Sequence, residues 1–324
     1  MNDGRTLLLL GADGFVGTHL AAAAESAGLR VVRAARGARA DLWFDLTDVG
    51  SLVDAVRRAS PDLVVNMAGL ASVADSWRQP AETFTVNAIG VLNLLDAVTA
   101  HAPGAHVTCV SSAEIYGAAP EERLPLSEES PIEPLNPYGA SKASMEVICG
   151  QYARSQRLEI AVVRAFNQLG PGQSPQFVAS DFARQVAAAE LAGGDTVELS
   201  VGNLAVTRDF VDVRDAGRAY LAVAQRRLEG PFNLCFGRPI ELKTLIDEIE
   251  RATVLSVVIK PRPARNRPAE APVIVGSAEK LHRATGWAPE IPLGQTIRDL
   301  MEWWRAELRR EGSAEAAEQS GASR

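Results

Sequence analysis

A tyrosine and a lysine spaced for proton transfer are the most informative residues of the sequence. Tyr138 and Lys142 stand four positions apart, and therefore on one face of any helix that contains both. Tyrosine, with an ordinary pKa near ~10, is a poor acid or base at neutral pH. A neighbouring ammonium and the positive end of the helix dipole stabilise the phenolate, so we expect a lowered pKa for Tyr138.

Ser112 lies at the end of a predicted strand, where it can hydrogen-bond the same substrate oxygen as Tyr138. A Tyr-x-x-x-Lys pair also occurs by chance on many helices. The position of this pair, on the helix that follows the strand ending near Ser112, favours the functional interpretation. Ser112, Tyr138 and Lys142 together predict proton exchange with a carbonyl or an alcohol oxygen.

Three glycines form a second pattern with chemical meaning. Gly11, Gly14 and Gly17 follow a strand predicted over residues 6–10 and begin a helix predicted over residues 15–27. Glycines allow a sharp turn and a close approach to a pyrophosphate, and the helix N-terminus adds N–H groups and positive charge. In this context the pattern predicts a dinucleotide-binding turn. The alternative is a helix entry that uses small residues only for packing.

The end of the second predicted strand bears on the choice of dinucleotide. An acid there would hold the ribose 2′-OH of NAD, but the sequence offers no acid and places Arg36 nearby. A guanidinium suits a 2′-phosphate, so the sequence favours NADP(H) over NAD(H), unless Arg36 is only a solvated surface residue. Asp45 either hydrogen-bonds the adenine or caps the next helix. The candidate cofactor site also includes Asp13, Phe15, Val16, Leu46, Ala68, Tyr138 and Lys142.

Composition excludes several classes of function. The 324 residues include 33 Lys and Arg against 40 Asp and Glu, a net charge of −7 that disfavours nucleic acid as a partner. Three cysteines far apart in the sequence indicate a reducing compartment. The four histidines lack metal-ligand spacing, which predicts no metal site. We find no apolar run near the ~18 residues that a membrane span needs and expect a cytoplasmic protein without a membrane partner.

Alternating strand and helix patterns must position these residues. Strands are predicted over residues 6–10, 29–33, 62–66, 106–110 and 159–164, with helices between them. The alternation predicts an α/β fold with a Rossmann-type, doubly wound parallel sheet. We predict a dinucleotide-binding domain over residues 1–170 that contains the catalytic residues. A smaller mixed α/β substrate lobe follows over residues 171–309, interleaved with the first domain, and residues 310–324 form a disordered tail.

The motifs together resemble the extended short-chain dehydrogenases/reductases that act on nucleotide sugars, the NAD-dependent epimerase/dehydratase family. Within that family the sequence is most similar to the GDP-4-keto-6-deoxymannose reductases. The segments that carry the resemblance are residues 11–17, 111–117, 137–142, 166–175, 201–204, 208–210 and 284–287. One departure is Gln168, where the subgroup has histidine.

The resemblance implies roles for residues that spacing alone does not identify. Ser112, Tyr138 and Lys142 would be the catalytic triad. The second lobe would bind the nucleotide sugar. Besides the triad, the implied substrate contacts are Asn167 at the diphosphate or sugar, Arg208 at the pyrophosphate, Arg267 and Glu270 at phosphate and ribose hydroxyls, and Phe177 and Val178 at the base. From the residues alone, Arg208 could instead pair with Asp209, and Arg267 could belong to a solvated charge run. Two helices, over residues 81–100 and 138–155, would form the four-helix bundle of a homodimer.

The leading prediction is NADPH-dependent reduction of the C4 ketone of a nucleotide-linked 4-keto-6-deoxyhexose, with GDP-4-keto-6-deoxy-D-mannose going to GDP-D-rhamnose. The alternative is a nucleotide-sugar 4,6-dehydratase or 4-epimerase that uses Glu114 as its base. Ala113 argues against a dehydratase, which has aspartate or serine there. A third hypothesis is a non-catalytic NADP-binding protein, against which the intact triad argues.

Overall fold

The structure, a computed structural model, describes residues 4–38, 40–261 and 271–321, with side chains up to residue 313. The chain divides into two compact units. Unit 1 comprises Met1–Gln168, Arg208–Pro239 and Arg267–Glu290, and unit 2 comprises Leu169–Thr207, Ile240–Asn266 and Ile291–Arg324.

The strands are, in chain order, β1 (Thr6–Leu10), β2 (Arg30–Ala35), β3 (Leu42–Trp43), β4 (Leu63–Asn66), β5 (His106–Ser112), β6 (Ile160–Ala165), β7 (Asn167–Leu169), β8 (Thr196–Val201), β9 (Thr207–Arg208), β10 (Phe210–Asp212), β11 (Gly230–Leu234), β12 (Ile240–Glu241), β13 (Ser256–Pro261) and β14 (Val273–Ile274). The α-helices are α1 (Phe15–Ser26), α2 (Val49–Ala59), α3 (Val73–Arg78), α4 (Pro80–Phe84), α5 (Gly90–His101), α6 (Pro137–Gln156), α7 (Val178–Leu191), α8 (Val213–Gln225), α9 (Leu242–Arg251), α10 (Glu279–Thr285) and α11 (Leu293–Gly321).

Unit 1 is built on a seven-stranded sheet in the order β11-β6-β5-β4-β1-β2-β3, in which every neighbouring pair is parallel. Residues 7–10 of β1 are leucines that water does not reach, because helices cover both faces of the sheet. One face packs against α2, α5 and α6, and the other against α1 and α8. The predicted α/β fold class with a doubly wound parallel sheet is confirmed.

The register of the sheet brings the ends of its strands together. Leu10 pairs with Asn66, Asn66 with Cys109, and Ser112 with Ala165. Parallel strands all present their carboxyl ends at one edge, which is where ligands bind in open α/β sheets. The glycine turn after β1 and Ser112 at the end of β5 therefore lie at the same edge.

The two units alternate along the chain, and the first break, after Gln168, lies close to the boundary predicted at residue 170. Beyond that boundary, α8 and β11 belong to unit 1. β11 extends the main sheet, with Phe232 opposite Val163 of β6. Local patterning gives the type of an element but not the sheet that it joins, so residues far along the chain can return to the first unit.

Unit 2 packs α7, α9 and α11 with the parallel pair β8–β13. Arg305 of α11 bonds both carboxylate oxygens of Glu190 on α7, and Trp304 donates to Ser180 at 3.0 Å. α11 continues to Gly321, where the sequence predicts a disordered tail after residue 309. The cause is composition, since Ala, Glu, Gln and Arg dominate this stretch and favour helix.

The helical run Pro80–His101, which includes a π-helical turn over Thr85–Ile89, is long and apolar enough by length and composition to cross a membrane. This corrects the sequence-based statement that no run approaches that length. Half of the apolar stretch is buried inside the protein, as in a core helix. Leu94, Leu95 and Val98 lie in the hydrophobic core beside the sheet.

Candidate active site

The three glycines of the turn between β1 and α1 have different structural roles. Gly11 has a φ of +79°, and a Cβ there would lie 2.8 Å from the backbone nitrogen of Ala68. A Cβ on Gly17 would lie 2.2 Å from the Gly11 carbonyl oxygen, so this position permits the close packing of helix on strand. A Cβ on Gly14 would meet only the Gly11 oxygen, at 3.2 Å, among the described atoms. Gly14 therefore leaves its side of the turn open, as a pyrophosphate at a helix N-terminus requires.

The structure also places the other candidate cofactor residues. Ala68 donates its backbone N–H to Asn66 at 3.1 Å, beside the glycine turn. The carboxylate of Asp13 lies against Gly37, directly after Arg36. Leu46 accepts a hydrogen bond at its carbonyl from the Asn93 side chain at 3.1 Å. Two further candidates, Phe15 and Val16, form the first turn of α1.

Arg36 and Asp45 lie beside each other at the ends of β2 and β3. An Arg36 nitrogen is 3.8 Å from Asp45 Oδ2, and the Arg36 side chain is 75% exposed and so accessible to a ligand. Two hydrogen bonds from Thr47 lower the pKa of Asp45, and the Arg36 charge adds to this effect. The capping role left open for Asp45 is wrong, because Asp48 caps α2 by accepting from two backbone N–H groups.

Tyr138 lies in the first turn of α6, near Ser112. Asn136 caps this helix by accepting the N–H of Gly139 at 2.8 Å, and Pro137 begins it with a φ already suited to a helix. Tyr138 lies near enough to Ser112 for the serine hydroxyl to lower the pKa of the phenol. Ser112 also accepts from the N–H of Glu114 at 3.2 Å, which fixes the hydroxyl at the end of β5.

Lys142 is buried one turn further along α6. Its Nζ donates to the Val110 carbonyl at 2.8 Å and lies 6.0 Å from the centroid of the Tyr138 ring. Burial lowers the pKa of Lys142 to about 8, and the charge of Glu146 acts in the opposite direction. Lys142 is therefore protonated at neutral pH.

The lowered pKa expected for Tyr138 is wrong for the protein alone. Burial raises the pKa of Tyr138 to about 12, the charge of Glu114 acts in the same direction, and the nearby Ser112 hydroxyl acts against both. The Lys142 ammonium does not reverse this shift, because it is directed at the Val110 carbonyl. The phenol therefore carries its proton at neutral pH, the state that a general acid needs.

Glu114 stands with the triad. Its Oε2 accepts a hydrogen bond from the Asn136 side chain at 2.8 Å, and its charge acts on Tyr138. A half-buried carboxylate in this place can remove a proton from a substrate carbon. The geometry therefore leaves a dehydratase role for Glu114 open.

Two asparagines of the site were not predicted from the sequence. Asn136 orients Glu114 and caps α6, and the Asn-Pro pair directly before Tyr138 is the sequence signal that could have identified it. Asn87 is 1% exposed in the π-helical turn. Its side chain donates to Ser141 at 3.0 Å and accepts the N–H of Leu70 at 2.8 Å, which fixes the segment beside Lys142. A π-helical turn cannot be recognised from local sequence.

The substrate residues implied by the resemblance fall into three groups. In unit 1, Asn167 is exposed and Arg208 is buried. In unit 2, Phe177 and Val178 stand at the start of α7, with Phe177 exposed. The other two, Arg267 and Glu270, lie outside the described residues.

A Rossmann-type sheet with Ser112 on β5 and a Tyr-x-x-x-Lys pair on α6 defines an oxidoreductase of the short-chain dehydrogenase/reductase class. The chain belongs to the GDP-mannose 4,6 dehydratase family, whose model matches residues 8–300. The predicted extended epimerase/dehydratase family is thereby confirmed.

Individual relatives agree with this assignment. The chain is 35% identical over 218 residues to GDP-6-deoxy-D-mannose reductase of Pseudomonas aeruginosa, which covers 67% of this chain and 71% of the relative. The structure of RMD from Pseudomonas aeruginosa complexed with NADPH is 33% identical, with a TM-score of 0.85 over 94% of this chain and 99% of that one. A Thermus thermophilus UDP-glucose 4-epimerase complex with NAD is 29% identical, with a TM-score of 0.83 over 93% and 99%.

Proposed function

We propose that this protein reduces the C4 ketone of a nucleotide-linked 4-keto-6-deoxyhexose with NADPH. GDP-4-keto-6-deoxy-D-mannose is the favoured substrate, and GDP-D-rhamnose (GDP-6-deoxy-D-mannose) is the product. The observation that carries the proposal is a protonated Tyr138 beside Ser112, in a chain 35% identical to a GDP-6-deoxy-D-mannose reductase. Unit 1 would bind the cofactor and hold the catalytic groups, and unit 2 would contribute to binding the nucleotide sugar.

The residues of the glycine turn fit a dinucleotide, because Gly14 leaves an open approach to the N-terminus of α1. A reduced nicotinamide supplies a hydride when bound. The chain supplies the proton: Tyr138 Oη gives it to the C4 oxygen as that oxygen gains negative charge. Ser112 donates a hydrogen bond to the same oxygen, and the Lys142 ammonium stabilises the phenolate that remains.

Dehydration is the second candidate function, because Glu114 is oriented by Asn136 beside the triad. Glu114→Gln separates the two functions, since the amide keeps the shape of the side chain but cannot take a proton. For a reductase we expect kcat to fall by less than about tenfold, or 1.4 kcal/mol. A dehydratase that uses this base should lose about 10²- to 10⁴-fold. NADPH oxidation with the ketone and ketone formation from GDP-mannose are measured in parallel, with Glu133→Gln, on an exposed side chain, as the control.

The preference for NADPH rests on Arg36. We expect Arg36→Ala to raise the KM for NADPH about tenfold or more and to leave the KM for NADH unchanged, because a charge-assisted hydrogen bond contributes about 1.5–3 kcal/mol. Steady-state kinetics with both cofactors measure this effect. Arg33→Ala, which removes from β2 a charge that is paired with Glu25 of α1, is the control. Equal changes with NADPH and NADH would contradict a role at the 2′-phosphate.

A second copy of this chain is the partner that we propose, in a homodimer formed by the helical run Pro80–His101 and α6. Apolar side chains on these contacting helices face water in the single chain: Phe84 is 36% exposed, Ile89 49% and Val147 71%. Their burial in a four-helix bundle is favourable. We also propose a cytoplasmic location, because all three cysteines are unpaired thiols.

Val147→Arg tests the dimer. We expect this variant to be monomeric by light scattering at concentrations where the wild type is dimeric, since it places a charge in an apolar interface. Val254→Arg, at an equally apolar but fully exposed position of unit 2, should remain dimeric. A monomeric wild type, or a Val147→Arg variant that is still dimeric, would contradict this interface.

A further inference from the structure

Asp209 is a buried carboxylate that the proposed reaction does not use. The side chain is inaccessible to water. One carboxylate oxygen accepts the backbone N–H of Phe236 at 2.7 Å, and the other accepts those of Gly237 at 2.9 Å and Gly276 at 3.3 Å. Burial raises the pKa of Asp209 to about 6, and the three N–H groups act against that shift. Both carboxylate oxygens act as acceptors, so these three hydrogen bonds favour the ionised form of Asp209.

These hydrogen bonds join separate segments at the functional edge of the sheet. Phe236 and Gly237 follow the carboxyl end of β11, and Gly276 follows β14. The backbone carbonyl of Asp209 accepts the N–H of Asn167, just after β6, at 3.1 Å. β6 ends opposite Ser112 in the register of the sheet. Asp209 thus connects three segments by hydrogen bonds, next to β5, the strand that ends at Ser112.

Two of the three donors lie at positions where the backbone favours glycine. A Cβ on Gly276 would lie 2.3 Å from the ring of Phe166, so this backbone segment approaches as closely as only glycine allows. Gly237 has a φ of +83°, which also favours glycine. The described partners of the Asp209 carboxylate are backbone N–H groups, so the ion pair with Arg208 left open by the sequence is not its role.

Asp209 is adjacent to both substrate residues assigned to unit 1. Arg208 precedes it in the chain, and Asn167 is bonded to its carbonyl. Successive residues of extended chain point to opposite sides. A carboxylate anchored on one side therefore fixes the direction in which the Arg208 side chain leaves the backbone on the other side.

We propose that Asp209 is a positioning residue for the nucleotide sugar, which holds Arg208 and Asn167 in place for the substrate's diphosphate and sugar. This inference rests on the proposed function, because the substrate class comes from it. Asp209 touches no reacting atom, so its removal affects substrate binding and not the chemical step.

Asp209→Asn tests the proposal, because the amide is similar in size but turns an N–H₂ group toward backbone donors. We expect the KM for the nucleotide sugar to rise about tenfold, with kcat and the KM for NADPH within about threefold of wild type. Asp215→Asn is the matched control. Asp215 is equally buried and accepts the N–H of Glu290 at 2.9 Å, but it lies in α8, away from Arg208 in the chain. The control should lose stability without a selective rise in that KM.

A double-mutant cycle tests whether Asp209 acts through Arg208. The increase in KM of Arg208→Ala combined with Asp209→Asn should be smaller than the product of the two single increases, because Asn167 is then the only one of the two residues left to be positioned. A double variant whose KM rises by the product of the two single increases would overturn the proposal. An Asp209→Asn variant in which kcat falls and both KM values rise by the same factor would also overturn it. If the wild type does not bind the nucleotide sugar at all, the proposed function fails. If it binds and Asp209→Asn keeps its KM, this inference alone fails.

A measurement on the wild type covers the case in which Asp209→Asn does not fold. Binding is reciprocal, so GDP-mannose should slow the hydrogen exchange of the amides of Phe236, Gly237 and Gly276. Unchanged exchange at these amides, under conditions where calorimetry shows that GDP-mannose is bound, would overturn the proposal.

Discussion

Tyr138→Phe is expected to lower kcat for ketone reduction by about 10²- to 10⁴-fold, because it removes the proton donor and leaves the ring in place. The dissociation constant for NADPH should stay near the wild-type value, since the glycine turn and Arg36 are untouched. Burial also favours the apolar phenylalanine ring, so we expect a melting temperature no lower than that of the wild type. Stopped-flow absorbance and fluorescence titration separate the chemical step from binding.

Tyr152→Phe is the matched control for this prediction. Tyr152 lies on the same helix, and burial also raises its pKa to about 12, but its hydroxyl donates to Asp96, away from the triad. The same chemical change there should leave kcat unaltered. Reduction at the wild-type rate by Tyr138→Phe would show that another group donates the proton, or that the protein is not a catalyst of this class.

Lys142→Met is expected to change activity and stability in opposite directions. Loss of the ammonium should lower kcat by about 10²-fold or more, because no charge remains to stabilise the Tyr138 phenolate. The protein should become more stable, since methionine is of similar size and a buried ammonium is unfavourable in the fold. Activity assays and thermal unfolding test both parts, with Lys280→Met as the control. Lys280 also donates to a backbone carbonyl, that of Pro231.

The pH dependence of the wild type follows from the same residue. The pKa of Lys142 is about 8 in the folded chain and near ~10.4 when unfolded, so the unfolded chain binds more protons between these values. The contribution of Lys142 to the free energy of unfolding should therefore rise as pH increases from about 8 toward 10.4, and this rise should be absent in Lys142→Met. An unchanged pH profile in the variant would show that Lys142 is not the group responsible.

Much of the sheet could be predicted because its signals are local. A short apolar run before a glycine identified β1, and its predicted bounds, residues 6–10, match the structure at both ends. Asn136 caps α6 and Pro137 begins it, roles that these two residue types often have at a helix N-terminus. These elements alone bring the glycine turn, Ser112 and Tyr138 to one edge of the sheet.

Other features depend on contacts between distant parts of the chain, and the sequence did not reveal them. β11 joins the main sheet by pairing with β6, although residues of the second unit separate these two strands in the sequence. The pKa of Tyr138 depends on how deeply the phenol is buried and on the direction of the Lys142 ammonium, which spacing along a helix does not give. Asp209 follows Arg208 as an ordinary ion pair would, and only the fold shows that its partners are backbone N–H groups.

The most direct test of the account is the absorbance of NADPH with GDP-4-keto-6-deoxy-D-mannose and with GDP-mannose in parallel, using the wild-type chain. We expect NADPH to be oxidised with the ketone alone, in an amount equal to the ketone consumed. Conversion of GDP-mannose to the ketone without net loss of NADPH would contradict it and would make Glu114 the catalytic base of a dehydratase.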